Sequence, residues 1–290
     1  FLHVETHCCG YSDNRFRIAL GYSTTNGDSW IYCGDILKSQ KDDENSNMGG
    51  VPYLVVGEYF YVYYNEWTTS GGKRLSVARA KVTDVIQAAS SWSVTSWKKY
   101  NSGMWDQDGL TGVGSDIIPD DGGGGLRDLH SDAAYCSTIN KYLITVQTHN
   151  IGELRLYMSD DGINWGNMTV VDETPDNNFI QAYSCFAALS NATDDCREVG
   201  SEFYVVFPRK DWPSNYSYDE LYRRKISVGG TTITNTNIPL IVTPFPNPCK
   251  ISSAVDGRAK FLLSNIDSNT SVTLTLYNSE GAKVSVLSRV

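Results

Sequence analysis

Long apolar runs are missing from this 290-residue chain. None approaches the roughly 18 residues that a membrane helix needs, so no membrane insertion is expected. Basic charge is also short: 24 Lys and Arg stand against 33 Asp and Glu, a net charge of -9. That balance repels phosphate backbones and anionic lipid surfaces, and nucleic acid is not an expected partner. Seven cysteines are too few for a small disulfide scaffold, and no paired C-x-x-C set is present, which disfavours a zinc knuckle. No Gly-x-Ser-x-Gly elbow occurs, so serine hydrolysis is set aside. The glycine run 122–125 lacks the Lys-Ser/Thr of a phosphate loop and reads as a flexible linker.

What is present is a hydrophobic fraction of 41%, enough for a sizeable core in one large domain or one domain with an appendage. Tyr, at 18 residues, dominates the aromatics. Tyr and Trp offer flat faces with a polar edge, which suits both strands and sugar stacking. The periodicity is that of strands almost throughout. Tyr53 to Val56, a Gly57-Glu58 turn and Tyr59 to Tyr64 read as a hairpin, since Gly at the first loop position permits positive φ. Further strands are expected at Leu75 to Val82, Asp132 to Ser137, Tyr142 to Thr148, Leu154 to Ser159, Phe179 to Leu189, Phe203 to Pro208 and Leu221 to Val228. Thr83 to Ser91 is the one short helix candidate.

A repeated device chooses among the all-β architectures. Ser23 to Trp30 and Ser159 to Trp165 each follow a strand with a Ser, an Asn-Gly or Asp-Gly turn and a Trp that folds back over the hairpin. Repeats of roughly 50 to 80 residues, each too small to bury a core alone, predict propeller blades over residues 1–242, and the resemblance described below implies about five of them. The proline-dense stretch Thr243 to Cys249 marks a stiff boundary. Residues 243–290 then alternate again, as in a few strands of a small β-sandwich that stops too soon to close, which the resemblance described below implies to be immunoglobulin-like. The opening at Phe1 rather than Met leads us to expect a piece of a longer precursor.

Asp132-Ala-Ala-Tyr135, the strand containing Tyr142, Leu154-Arg-Leu-Tyr157 and the Ser159 to Trp165 turn together resemble one blade of the five-bladed β-propeller glycoside hydrolases of the arabinanase, xylosidase and invertase type. The Ser23 to Trp30 turn is also similar to the Asp box of sialidase-like propellers, with Thr25 where Asp would stand. The tail from Pro244 to Val284 resembles the immunoglobulin-like secretion and sorting modules of bacterial exported proteins. These resemblances imply a secreted or cell-surface bacterial protein that binds or hydrolyses a polysaccharide or other glycan.

Glycoside hydrolysis needs two carboxyl groups about 5 to 10 Å apart across a pocket. The resemblance points to Asp132, at the start of a blade, with Arg127, Asp128 and His130 upstream to orient it or a sugar hydroxyl. It also exposes a departure, because Val51 precedes Pro52 where the resembling enzymes carry the catalytic base. Glu66, Asp116 and Glu173 are the candidate substitutes, with Asp176 also near the expected acid position. Trp67, Trp105 and Tyr183 are candidate sugar platforms.

Other features carry less chemistry. His3, Glu5 and His7 share one face of a strand, but the two histidines stand too far apart for one ion, so no metal site is expected. The acidic stretches at Asp42 to Glu44 and Asp120-Asp121 supply oxygen ligands of the kind Ca²⁺ takes, without EF-hand spacing; no cofactor is expected beyond that one open ion. In a secreted chain Cys185 with Cys196, and Cys33 with Cys8 or Cys9, suit disulfides. Glycosylation sequons at Asn167, Asn191, Asn215 and Asn269 are about as many as chance gives, about four in this composition. The alternative to a carbohydrate-active protein is an extracellular adhesin or filament subunit that self-associates through strands donated to unpaired edges.

Overall fold

The computed structural model describes residues 1–6, 15–43, 46–70, 73–118, 127–128, 132–148, 152–173, 179–181, 183–188, 197–211, 218–229 and 232–237, and the short strands 241–242, 263–264, 272–277 and 283–289. Among the described residues four mainly antiparallel sheets follow one another along the chain in a β-propeller arrangement, with a separate two-stranded sheet near the end. The first holds β1 (Leu2–Thr6), β2 (Arg15–Tyr22) and β3 (Ile31–Leu37) in that order. The second orders β4 (Tyr53–Val56), β5 (Tyr59–Trp67), β6 (Lys73–Lys81), β7 (Lys98–Asn101) and β8 (Met104–Asp108), with helix α1 (Val82–Ser90) between β6 and β7.

The third sheet contains β9 (Arg127–Asp128), β10 (Ala133–Cys136), β11 (Lys141–Thr148), β12 (Glu153–Ser159) and β13 (Trp165–Glu173). The fourth begins with β14 (Phe179–Gln181) and β15 (Cys185–Ala188), both on one side of a later strand. Between them in sequence and that strand, β16 (Glu198–Val199) returns to the third sheet and pairs parallel to β10. The fourth sheet is completed by β17 (Glu202–Asp211), β18 (Tyr218–Gly229), β19 (Thr232–Asn237), β20 (Ile241–Val242) and β21 (Leu263–Ser264).

Side-chain alternation explains why the sheets stack. On β5, Tyr61 and Tyr63 face one way and Val62 and Tyr64 the other, and all four are buried. Val62 and Tyr64 join Ile18, Leu20, Ile36 and Leu37 of the first sheet in one core cluster. Tyr61 and Tyr63 join Ala133, Ile144, Val146, Tyr157 and Trp165 of the third sheet in a second. The third sheet's opposite face, through Ala134, Leu143, Leu154 and Leu156, meets Phe186, Phe203, Val205 and Phe207 of the fourth sheet. The inner sheets are therefore covered on both faces, which requires near-continuous apolar runs rather than a clean polar alternation. Each fully buried Tyr or Phe contributes about 1.5–3 kcal/mol of transfer free energy. Successive sheets also meet edge to edge at β4, β10 and β15.

The expected hairpin is present, with Gly57 at φ 59° between β4 and β5. The expected helix is α1. The blade count differs from the expectation. Among the described residues four blades stand in place of about five, because β7 and β8 widen the second sheet and β16 rejoins the third instead of opening a blade. The immunoglobulin-like sandwich does not appear among the described residues of the tail. There β21 pairs with β20 of the fourth sheet, while β22 (Val272–Tyr277) and β23 (Lys283–Arg289) form a two-stranded hairpin.

Candidate functional site

A cavity of about 590 Å³ lies where the second and third sheets converge, lined by Tyr53, Leu54 and Val55 of β4, Phe60 of β5, Tyr135 of β10, Tyr142 of β11, and Arg197 with Glu198 beside β10. Register puts Tyr135 directly opposite Tyr142, and their rings lie 5.3 Å apart at 51°. The Tyr135 hydroxyl donates to Asn140 Oδ1 at 3.0 Å. Burial, then the neighbouring phenols Tyr135 and Tyr61, push the Tyr142 hydroxyl above its ordinary pKa, so it stays a proton donor at neutral pH. The walls are thus aromatic faces with hydroxyl edges, plus one cationic and one anionic side chain.

Arg197 is held by Asp132. Its Nη1 and Nη2 meet Oδ1 and Oδ2 at 2.7 and 2.9 Å, Nη1 also donates to the Ala133 carbonyl, and the guanidinium lies 5.1 Å from the centre of the Tyr53 ring. Asp132 also accepts the backbone N–H of Ala133 at 2.9 Å and of Phe186 at 3.2 Å, which ties the third sheet to the fourth. A bidentate Arg–carboxylate pair of this geometry fixes both partners. Asp132 is only 8% exposed and acts on the cavity through Arg197.

The other carboxylate candidates, Glu66, Asp116 and Glu173, do not line the cavity. Glu66 is fully buried at the end of β5, where Oε1 accepts the Gln40 N–H and Oε2 accepts Tyr64 Oη, Lys99 Nζ and the Gly114 N–H. Its oxygens are consumed inside the second sheet, so Glu66 does not meet a sugar: this expectation is corrected. Asp116 is exposed and accepts the Ile118 N–H at 3.3 Å. Glu173 is exposed at the end of β13, opposite Glu153. Val51, at the expected base position, packs partly buried against the core between the first and second sheets.

The expected platforms are occupied differently. Trp105 meets Tyr61 at a tilt and Tyr100 edge to face, and Arg79 is clamped 4.2 Å from both the Trp105 and Tyr59 ring centres. Trp105 is therefore a packing residue with its face covered. Trp67 donates Nε1–H to the Asn47 carbonyl and carries Lys73 at 5.5 Å over its ring. Tyr183 is 56% exposed. Arg127 lies in β9, opposite Thr148, and its side chain and His130 lie outside the described residues. Cys185 is exposed on β15 and Cys33 is a partly buried thiol; the expected partners Cys196, Cys8 and Cys9 lie outside the described residues. Asn167 is exposed on β13 with φ 47°, and Asn191, Asn215 and Asn269 lie outside the described residues. Among the described residues no group of three or more His, Cys, Asp or Glu has the geometry of a metal site.

Two features escaped the sequence reading. Arg197 stands 65 residues from Asp132 and carried no local signal beyond its neighbour Glu198. A second buried knot joins Asp172 to Arg209, Arg224 and Gln181, with Arg209 bidentate at 2.7 and 3.0 Å. Arg209 is stacked 4.2 Å over Tyr222, and the carboxylate of Asp172 outweighs burial to raise its pKa.

No family model and no curated protein matches this sequence. Solved structures that match in fold include β-1,2-mannobiose phosphorylase from Listeria innocua, at 10% identity and a TM-score of 0.42 over 79% of this chain and 54% of that one. They also include fructan 1-exohydrolase IIa from Cichorium intybus, at 12% identity and 0.48 over 78% of this chain and 39% of that one. A glycosyl hydrolase from Bacteroides ovatus matches at 12% identity and 0.46, over 83% and 66%. The chain spans about half the length of the first of these and less of the second.

Proposed function

We propose that this chain is a carbohydrate-binding protein of the glycosidase-like propeller kind, and that the sugar occupies the cavity between β4, β10 and β16. The observation that carries this reading is the convergence of Tyr53, Phe60, Tyr135 and Tyr142 around Arg197 and Glu198. Pyranose rings stack their C–H faces on aromatic rings, while hydroxyl and charged groups fix orientation, and a few hundred cubic ångströms holds one to a few sugar units. Binding is preferred to hydrolysis because Glu66 and Asp132 spend their oxygens on internal partners. A secreted or cell-surface location belongs to the same reading.

A glycan array followed by calorimetry tests it. Tyr142→Ala is expected to weaken the best glycan at least about 10-fold, as loss of a stacking face and a hydroxyl does. Unchanged affinity, or an array without signal, overturns the reading. Release of reducing ends from the bound glycan makes the protein a hydrolase instead.

A second reading is self-association through donated strands, favoured by the two-stranded β22–β23 sheet, since a lone hairpin is marginal in water. Sedimentation equilibrium that finds a concentration-independent monomer removes it.

A further inference from the structure

The cavity's two charged residues are not equivalent. Arg197 is neutralised by Asp132 through both guanidinium nitrogens. Glu198, half-buried in the cavity wall, has a carboxylate with no hydrogen-bond or ion-pair partner among the described residues. Its backbone is pinned by the parallel register with Tyr135, which holds the side chain next to the paired phenols. The charge left over in an aromatic-walled space is therefore one carboxylate, and the chain's net charge of -9 has the same sign.

We propose that the cavity selects a sugar carrying a protonated amine, a 2-amino-2-deoxyhexose unit, over neutral and acidic sugars. The inference rests on the glycan-binding reading above and adds the ligand's charge to it. An ammonium group beside the cavity wall meets Glu198 in a charge-assisted hydrogen bond, and the faces of Tyr135 and Tyr142 attract the same cation through their ring quadrupoles. A neutral sugar offers Glu198 only hydroxyl donors. A uronic acid brings a second carboxylate toward the first, and Arg197 is already committed to Asp132.

The test uses three tetrasaccharides of one length: the glucosamine oligomer, its N-acetylated counterpart and cellotetraose. Calorimetry at mildly acidic pH keeps the amine protonated and the carboxylates ionised. The glucosamine oligomer is expected to bind at least about 10-fold more tightly than the other two. That advantage is expected to vanish in Glu198→Gln and to survive in Glu173→Gln, whose carboxylate is exposed elsewhere on the third sheet. Equal affinity for the three probes, or a preference that survives Glu198→Gln, overturns the charge selection and leaves glycan binding standing. Absence of binding to all three and to the glycan array overturns both. Thermal melts of Glu198→Gln check that its cavity is folded.

Discussion

Glu66 and Lys99 form an ion pair 2.9 Å long in which neither side chain has any exposed surface. Every polar atom of the pair is answered: Lys99 also donates to the carbonyls of Lys38 and Gly112, and Glu66 receives Tyr64, Gln40 and Gly114. Burial lowers the Lys99 pKa, and the attraction of Glu66 only partly offsets it. Those partners come from β5, β7 and the segments after β3 and β8, so the pair clamps four stretches of chain at one point.

Breaking it from one side strands the other charge in the core. Glu66→Gln or Lys99→Met is expected to cost about 3–5 kcal/mol of unfolding free energy, measured by urea denaturation. The double substitution Glu66→Gln with Lys99→Met leaves no orphan charge and is expected to cost less than the two singles combined. Additivity across that cycle removes the account of a coupled pair.

This pair also marks the limit of what the chain reveals before folding. A glutamate beside a tryptophan at a hairpin's end reads as a surface group or a catalytic one, and the lysine that neutralises it lies 33 residues away. The same is true of Asp132 and Arg197. Local features were legible for physical reasons: Gly57 needs positive φ, and the Ser and Asx residues of the Ser159 turn cap their own loop amides. The strand-rich character was legible from the apolar runs of β5, β11 and β12. The number of blades was not, because whether β7 and β8 widen a sheet or begin one depends on pairing partners and not on the strands themselves. The paired Trp residues show it again: Trp165 is buried at 4%, whereas Trp30, in the matching turn, is 62% exposed.

Two glycines separate backbone strain from crowding. Gly162 has φ 72°, and a Cβ there would stand 2.9 Å from the Tyr63 hydroxyl, whose own hydrogen bond goes to the Gly162 carbonyl. Gly57 has φ 59°, and a Cβ would meet nothing within 4 Å. Gly57→Ala is expected to cost about 1 kcal/mol from the left-handed backbone alone, and Gly162→Ala at least about 2 kcal/mol because a buried tyrosine must also move. Equal losses in thermal melts of the two variants contradict this ordering.

Acid stability has an identifiable contributor in the Ser159 turn. Burial pushes the Asp161 carboxyl up, but the N–H groups of Asn164 and Ile163, the Asn164 amide and the Ser159 hydroxyl outweigh it, leaving the pKa below the ordinary 3.8. A carboxyl with a lowered folded pKa stabilises the fold above its unfolded value and loses that contribution as pH falls through the folded value. The window therefore lies below about pH 4. Asp161→Asn keeps the shape without the charge, so its unfolding free energy is expected to fall less steeply than the wild type's below that pH. Because Asp161 is exposed, the difference is small and shrinks further in high salt. Parallel acid limbs for the two proteins exclude the mechanism.

Asp132 balances the charge of Arg197, which lines the cavity. Replacing it with Asn leaves the backbone contacts to Ala133 and Phe186 one oxygen to share and removes the charge that balances Arg197. Arg197 then loses the carboxylate that balances it, in a cavity wall that it shares with Glu198. Affinity of Asp132→Asn for the glucosamine tetrasaccharide is expected to fall about 10-fold, and affinity for a uronic acid oligomer of the same length is expected to rise. Calorimetry of both ligands on the folded fraction, established by near-ultraviolet circular dichroism, measures the two changes. Only opposite movement of the two affinities supports an electrostatic role; a parallel loss means that Asp132 merely holds the third and fourth sheets together, and its link to recognition through Arg197 falls.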